Sequence, residues 1–206
     1  MCGSGRFLVP FMQKGFRMTG VDNSAEMLDK LKQKAPSASV ALSDLETYRT
    51  EERYDYMFIS SGSVSLFTDM QVCKAVLQNL KDLLKPGGIF VFAVDTIADR
   101  CPDDEAYRVN ISVKTKENHD LVLKTKNCFD ESTCTQFSPG IYELYDGNRL
   151  LQSEKMDFQT HLYKQGEMEA VLREIGFADV KVYSSFRKEP VVSDRAEMFL
   201  YECVNP

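Results

Sequence analysis

The chain has 206 residues, of which 43% are hydrophobic and 27% are charged, the balance of an ordinary globular domain. Its net charge of -6 disfavours nucleic acid as the main partner, because phosphate binding needs clustered Lys and Arg. No apolar run approaches the roughly 20 residues of a membrane span, and Met1–Pro10 carries no secretory signal. Six cysteines without a CxxC pair predict free thiols and no metal site. We therefore expect one cytoplasmic domain over residues 1–206 that binds neither nucleic acid nor membranes.

The first half of the chain alternates between short apolar runs and stretches of helical periodicity, which is typical of a parallel α/β sheet. Predicted strands cover Phe16–Val21, Val40–Leu42, Tyr54–Ser60 and Ile89–Val94. One helix is predicted after Ser24, whose side chain can cap it, and another along the apolar stripe from Val72 to Leu83. We expect this second helix to stop at the turn Lys85–Gly88.

The second half of the chain has a different periodicity. Between residues 108 and 163 apolar side chains alternate with a period of two, which predicts an antiparallel β insert within residues 100–163. The sequence Asp146-Gly147-Asn148 is typical of a hairpin turn. A helix is predicted at Glu167–Ile175 with Gly176 placed to end it, and two last strands at Val180–Tyr183 and Met198–Val204.

The most informative segment is the N-terminal one, where two glycines precede an acidic strand end. Gly3 and Gly5 stand where a loop enters a helix that begins near Arg6, so the backbone can approach a ligand closely and offer its amides. Asp22 ends the strand that follows, and a carboxylate there can bind both hydroxyls of a ribose. Taken alone, the glycines could form a tight turn and the acid could lie on an exposed loop. Together, and followed by NSAEML, they predict a nucleotide-binding site.

These segments closely resemble the cofactor-binding region of class I S-adenosylmethionine-dependent methyltransferases. The resemblance rests on CGSGR followed by GVDNSAEML, and continues through Ser43-Asp44-Leu45, YDYMFISSGS, LLKPGGIFVF and LREIGFADVKVY. It implies an α/β fold with a Rossmann-like, mostly parallel sheet in the strand order 3-2-1-4-5-7-6 and an antiparallel insert after the fifth strand. It also implies S-adenosylmethionine as the cofactor.

The resemblance implies roles for four residues near the methionine and ribose parts of the cofactor. Gly3 and Gly5 would line the methionine part, and Asp22 would hold the ribose hydroxyls. Ser60 would contact the cofactor's amino group through its carbonyl. A plain strand end is the alternative for Ser60.

Four further residues are implied around the adenine. Asn23 and Met27 would flank it, Asp44 would accept a hydrogen bond from its exocyclic amine, and Leu45 would offer its backbone amide. A position in the hydrophobic core is the alternative for Met27.

One departure from the family concerns its first strand. Family members have an apolar strand, an acidic residue and a further glycine before the loop, whereas Met1 stands at that glycine's position. The missing strand would lie in the middle of the sheet, and each backbone group left unpaired there costs about 1–3 kcal/mol if buried. We expect that an N-terminal segment is lacking, or that another strand fills the gap, for example one from a second chain in a homodimer.

The acceptor of the methyl group is expected to be a small molecule, since the stretch Ser60–Ser63 does not resemble the NPPY-type signature of base or glutamine methylation. A general base is needed only where the accepting atom still carries its proton. His161 in the last insert strand is the candidate, with Tyr142, Tyr145 and Tyr163 as candidate pocket-lining residues. The alternative for His161 is a solvated strand face.

Two other functions stay open at this stage. The first is a catalytically inactive protein that binds S-adenosylmethionine or a partner, which the incomplete glycine loop would favour. The second is a nicotinamide-dependent oxidoreductase, whose fold also uses a glycine loop and a strand-end acid. Against the second, Leu8 occupies the position of the third glycine in GxGxxG.

Overall fold

Two sheets form the α/β part of the computed structural model, which describes residues 1–206. The smaller sheet is a parallel pair, β1 (Thr19–Asp22) and β2 (Ser39–Leu42). Helix α1 (Leu8–Gln13) precedes it, and α2 (Ala25–Lys34) connects its strands. As expected, Ser24 caps α2, since its Oγ accepts a hydrogen bond from Met27 N at 3.2 Å.

The predicted first strand begins three residues later than the periodicity suggests. Gly15 follows α1 with a φ of +88°, and the Phe16 N–H still bonds to the Phe11 carbonyl of that helix. The helix end therefore consumes residues that sequence analysis assigned to the strand at Phe16–Val21.

The larger sheet has the strand order β12-β13-β4-β3. Its strands are β3 (Tyr54–Ile59), β4 (Leu84–Asp95), β12 (Ala178–Tyr183) and β13 (Met198–Val204). β3 and β4 are parallel, whereas β13 is antiparallel to both β4 and β12.

Two helices pack on the larger sheet, α3 (Met70–Asp82) and α4 (Glu167–Glu174). The apolar stripe of α3 is buried against the aromatic side chains of β4 and β13, and eighteen buried residues form this core. The smaller sheet has a core of only four buried residues, Leu8, Leu28, Leu31 and Ala38. Most of the hydrophobic stabilisation therefore lies with the larger sheet.

The predicted antiparallel insert lies between β4 and α4. Four strands pair in the order β10-β9-β6-β5; their bounds are β5 (Arg108–Lys114), β6 (Asp120–Thr125), β9 (Gly140–Asp146) and β10 (Arg149–Met156). Three short strands pair in the order β11-β8-β7; they are β7 (Cys128–Asp130), β8 (Thr135–Phe137) and β11 (Gln159–His161). The β9–β10 hairpin turns at Gly147, as expected, with a φ of +57°.

The insert leaves and rejoins the larger sheet at one point. Tyr163 N donates to the Asp95 carbonyl at 2.9 Å, and Ile97 N donates to the Tyr163 carbonyl at 3.1 Å. These two hydrogen bonds fasten the start of the insert to its end.

A groove lies between β1 of the smaller sheet and β3 of the larger sheet, and no strand of the chain pairs with both of them. Apolar side chains line most of it, among them Leu8, Val21, Met57 and Ile59. The sheet expected from the sequence is thus interrupted between these two strands. None of the four helices combines the length and the hydrophobicity that a membrane crossing requires.

Candidate functional site

Asp22 is the centre of the candidate site, at the carboxyl end of β1. Its Oδ2 accepts a hydrogen bond from Gly3 N at 2.7 Å, and its Oδ1 accepts one from Ser24 N at 3.0 Å. The Met1 ammonium lies 3.0 Å from Oδ2. Burial raises the pKa of this carboxyl, but the two amides and the ammonium outweigh burial and hold the pKa below its usual range. Asp22 is therefore an ionised acceptor that also fixes the glycine loop.

The two glycines of the loop have different environments. Gly3 has a φ of +53° and no atom within 4 Å of a Cβ placed on it, so its surface is open to a ligand. Gly5 is buried, and a Cβ there would lie 2.9 Å from both Leu31 Cγ and Val9 Cγ2. Gly3 thus fits the predicted contact with a ligand, whereas Gly5 lets α1 pack closely on α2.

The predicted adenine residues lie at the carboxyl ends of β1 and β2. Asn23 Nδ2 donates to Asp44 Oδ1 at 2.8 Å, which brings these two side chains together. The Leu45 carbonyl accepts from Asn79 Nδ2 at 2.9 Å, while the Leu45 N–H has no acceptor within the protein. Such a free amide is what the predicted bond to a heterocyclic nitrogen requires.

Met27 and Ser60 fit their predicted roles to different degrees. Met27 is 43% exposed, so it is not a core residue and remains free to cover a ligand. The Ser60 carbonyl already accepts hydrogen bonds from Ser63 Oγ at 2.9 Å and Ser63 N at 3.3 Å. A carbonyl oxygen has two lone pairs, so a cofactor contact there requires Ser63 to turn away.

His161 is buried, not part of a solvated strand face. Only 5% of it is exposed, its Nε2 lies 2.6 Å from Glu167 Oε1, and its Nδ1 is buried without a partner. Burial raises the pKa of Glu167. The hydrogen bonds from His161 and from Lys164 N outweigh burial, so the pKa lies below its usual range. A carboxylate that orients an imidazole is an arrangement found in general bases.

The three tyrosines proposed as pocket-lining residues are not brought together. Tyr163 is fully buried in the main core. Tyr142 and Tyr145 lie on β9, and the Tyr145 hydroxyl donates to Glu143 Oε2. Alternation in the sequence identified the insert strands, but not which of their faces meets the sheet.

Sequence analysis missed Asp95, which ends β4 as Asp22 ends β1. Ligands of open α/β sheets bind at the carboxyl ends of the strands, so a strand-end acid was a usable signal. Ser61 and Gly62, which follow β3 at the same edge, both have left-handed backbones, with φ values of +61° and +64°.

These features lie together at one end of the smaller sheet. A loop with an open glycine, a strand-end carboxylate that fixes it, and an adjoining Asn–Asp pair with a free amide meet at the carboxyl ends of β1 and β2. Together with the α/β fold and its insert, they resemble the corresponding features of class I S-adenosylmethionine-dependent methyltransferases. S-adenosylmethionine is the cofactor of that family.

Comparisons with known proteins also point to methyltransferases. A family model described as "Methyltransferase domain" matches residues 1–88. YqeM of Bacillus subtilis (strain 168), which carries a provisional description as a methyltransferase, is 29% identical over 109 residues, or 50% of this chain. That match covers 44% of the YqeM sequence, so the chain aligns with less than half of this relative's length.

Two solved structures have the same fold over almost the whole chain. The CcbJ methyltransferase from Streptomyces caelestis has a TM-score of 0.77 at 18% identity, over 98% of this chain and 80% of CcbJ. The sugar N-methyltransferase KedS8 from Streptoalloteichus sp. has a TM-score of 0.76 at 16% identity, over 98% of this chain and 76% of KedS8. At these identities the two structures establish the fold alone.

Proposed function

We propose that the protein transfers a methyl group from S-adenosylmethionine to a small-molecule acceptor. The observation that carries this proposal is the ionised carboxylate of Asp22, which holds Gly3 and stands beside the Asn23–Asp44 pair. The description of KedS8 as a sugar N-methyltransferase supports an acceptor of small-molecule size. The net charge of -6 is in keeping with a substrate other than nucleic acid.

The chain's own residues bind and orient the two reactants. When bound, the cofactor would supply a methyl group on a sulfonium for in-line displacement, with the demethylated thioether as the leaving group. Asp22 accepts the ribose hydroxyls, the Leu45 amide and Asp44 bind the adenine, and Gly3 gives its backbone room beside the methionine part. Catalysis of such a transfer comes mainly from positioning and electrostatics.

His161 is the proposed general base. With Nε2–H donated to the Glu167 carboxylate, the lone pair of Nδ1 is left to take a proton from the acceptor. Because Nδ1 is buried, the groups that cover it have to move aside before the acceptor reaches it. The insert within residues 100–163, which carries His161, is the proposed cover of the acceptor pocket.

We also propose that an additional strand occupies the groove between β1 and β3, parallel to both. Asp22 O bonds to Ser43 N on the β2 side, so by alternation Thr19 and Val21 direct their backbone groups into the groove. On β3 the Tyr54 N–H bonds to the Leu83 carbonyl, on the β4 side. By the same alternation, Met57 directs its backbone groups into the groove from β3. The four-residue core of the smaller sheet supports the proposal, because so small a core needs further burial.

A homodimer is the proposed assembly. Strand β5 is an edge strand, and its alternate residues Val109, Ile111 and Val113 are 61%, 50% and 49% exposed. An exposed apolar edge favours pairing with another chain. Light scattering after size exclusion tests this, and a monomeric mass at micromolar concentration would rule it out.

The function is tested by calorimetric titration of the chain with S-adenosylmethionine and with its demethylated product, S-adenosylhomocysteine. Micromolar binding of both is expected, followed by methyl transfer when small-molecule acceptors are screened. Absence of binding would contradict the proposed function, whereas binding without turnover across the screen would favour the inactive cofactor-binding protein.

A further inference from the structure

The carboxylate of Asp95 lies against the turn that follows β3. A Cβ placed on Gly62 would be 2.4 Å from Asp95 Oδ1 and 3.1 Å from Oδ2. The carboxylate thus occupies the space that any side chain at position 62 would need. It brings the end of β4 next to the turn at Ser61 and Gly62, and like Asp22 on β1 it lies at the carboxyl end of its strand.

The backbone of Asp95 is fixed while its side chain lacks a counter-ion. Its N–H donates to Ser65 Oγ at 2.8 Å, and its carbonyl accepts from Tyr163 N at 2.9 Å. None of the ion pairs of the protein includes Asp95. Partly buried carboxylates are normally paired or hydrogen-bonded several times over, so this one has unused capacity to accept hydrogen bonds.

The surroundings of Asp95 are negative. Burial and the charge of Asp99 together raise its pKa to about 6, against the opposing effect of the Ser65 hydroxyl. Asp99 in turn has its pKa raised by burial and by Glu197. A cation placed at Asp95 would relieve this repulsion, whereas an anion would add to it.

We propose that Asp95 determines acceptor specificity, by binding the ammonium or amine N–H of an amine acceptor beside the turn at Gly62. This inference rests on the proposed function and adds the substrate class to it. The contact is a charge-assisted hydrogen bond, which selects an amine over an alcohol of the same shape and rejects a carboxylate. Asp95 acts on binding and orientation of the acceptor, and it does not contact the cofactor-holding residues Asp22 or Asp44.

The test uses three probes of one skeleton, cyclohexylamine, cyclohexanol and cyclohexanecarboxylate, titrated into the full chain saturated with S-adenosylhomocysteine. We expect the amine to bind at least about tenfold more tightly than the other two. In Asp95→Asn this preference is lost while the dissociation constant of S-adenosylhomocysteine is unchanged. Asp95→Glu keeps the charge and is expected to retain part of the preference.

Asp146→Asn, in the β9–β10 hairpin, is the matched control that removes one acid far from the site. Equal binding of the amine by the wild type and Asp95→Asn would overturn the inference, as would a preference for the alcohol. No binding of S-adenosylhomocysteine by the wild type would overturn the proposed function itself, and the inference with it. Binding of S-adenosylhomocysteine without any preference for the amine would overturn the inference alone.

Discussion

Asn23 donates a hydrogen bond from its Nδ2 to Asp44 Oδ1 at 2.8 Å and thereby joins the carboxyl ends of β1 and β2. The two residues come from different strands, yet each directly follows or nearly follows a strand end. Asp22 precedes Asn23 and holds the glycine loop through Gly3. The three polar side chains therefore form one continuous rim at the carboxyl ends of β1 and β2, where the proposed function places the adenosine part of the cofactor.

Asp22→Ala is expected to abolish most cofactor affinity. The substitution removes two hydrogen bonds from the ribose to a charged group, at about 1.5–3 kcal/mol each, and releases the Gly3 amide. Calorimetry should show the dissociation constant for S-adenosylmethionine rising at least about 100-fold. Asp29→Ala, on the exposed face of α2, is the control; an unchanged dissociation constant in Asp22→Ala would remove Asp22 from the site.

Gly5→Ala is expected to destabilise the fold more than Gly147→Ala does. Both glycines have positive φ, +80° and +57°, but only at Gly5 would the Cβ contact other side chains, at 2.9 Å. The left-handed backbone costs an alanine about 1–2 kcal/mol at either position, and overpacking against Leu31 and Val9 adds about 1–3 kcal/mol at Gly5. Denaturant unfolding of the two variants measures the difference in their free energies of unfolding. Equal losses of stability would show that Leu31 and Val9 shift to make room for the added methyl group.

Asp95→Asn is expected to change how stability depends on pH. The folded pKa of Asp95 is about 6 and its ordinary value is 3.8, so between these values the folded state holds more protons than the unfolded state. Stability from this group is full below the ordinary value and is lost as the pH rises towards about 6. The free energy of unfolding of the variant, relative to that of the wild type, should therefore rise from about pH 4 to about pH 6 and stay constant at higher pH. Unfolding measured at each pH gives this difference. A constant difference across that range would contradict the prediction.

His161→Gln is expected to slow turnover without weakening cofactor binding. Glutamine can keep a hydrogen bond to Glu167 but cannot take a proton, and loss of a general base costs about 10²–10⁴-fold in rate. The measurement compares kcat with the dissociation constant for S-adenosylmethionine. His119→Gln, in the turn before β6, serves as the control, and an unchanged kcat in His161→Gln would leave His161 a structural residue.

Filling the groove is expected to stabilise the protein. Five β-favouring apolar residues added before Met1 would start beside Val21 and lie along β1 and β3, where they can pair with both edges. We expect a higher Tm and slower hydrogen exchange at the Val21 and Met57 amides. An extension of the same composition with a central proline is the control, because proline cannot complete the ladder; equal effects of both would show that no strand forms.

Local patterns were sufficient to predict most of the α/β elements and to select the candidate residues at the ends of β1 and β2. The Ser24 cap, the α3 stripe and the β9–β10 turn each depend on neighbours in the sequence. The Asp22 position was also visible, because a glycine loop precedes its strand. Asp95 has the same place in its strand without such a loop, so nothing nearby in the sequence drew attention to it.

The burial of His161 could not be predicted, for a different reason. Alternation gives the two faces of a strand but not what covers them. His161 bonds to Glu167 and its strand lies near the segment Ser63–Leu66, on elements that come from separate parts of the chain. The late start of β1 likewise follows from where α1 ends, because Gly15 turns the chain before the strand can begin.

The fastening of Asp95 and Ile97 to Tyr163 has a consequence for how such a protein can diversify. Because the two ends of the insert are neighbours in space, everything between them can be lengthened, shortened or replaced without moving the sheet. Under the proposed function, exchange of this segment would change the acceptor while the candidate cofactor residues at β1 and β2 stay under separate selection. The same closeness makes residues 97–162 a natural unit for grafting between related scaffolds.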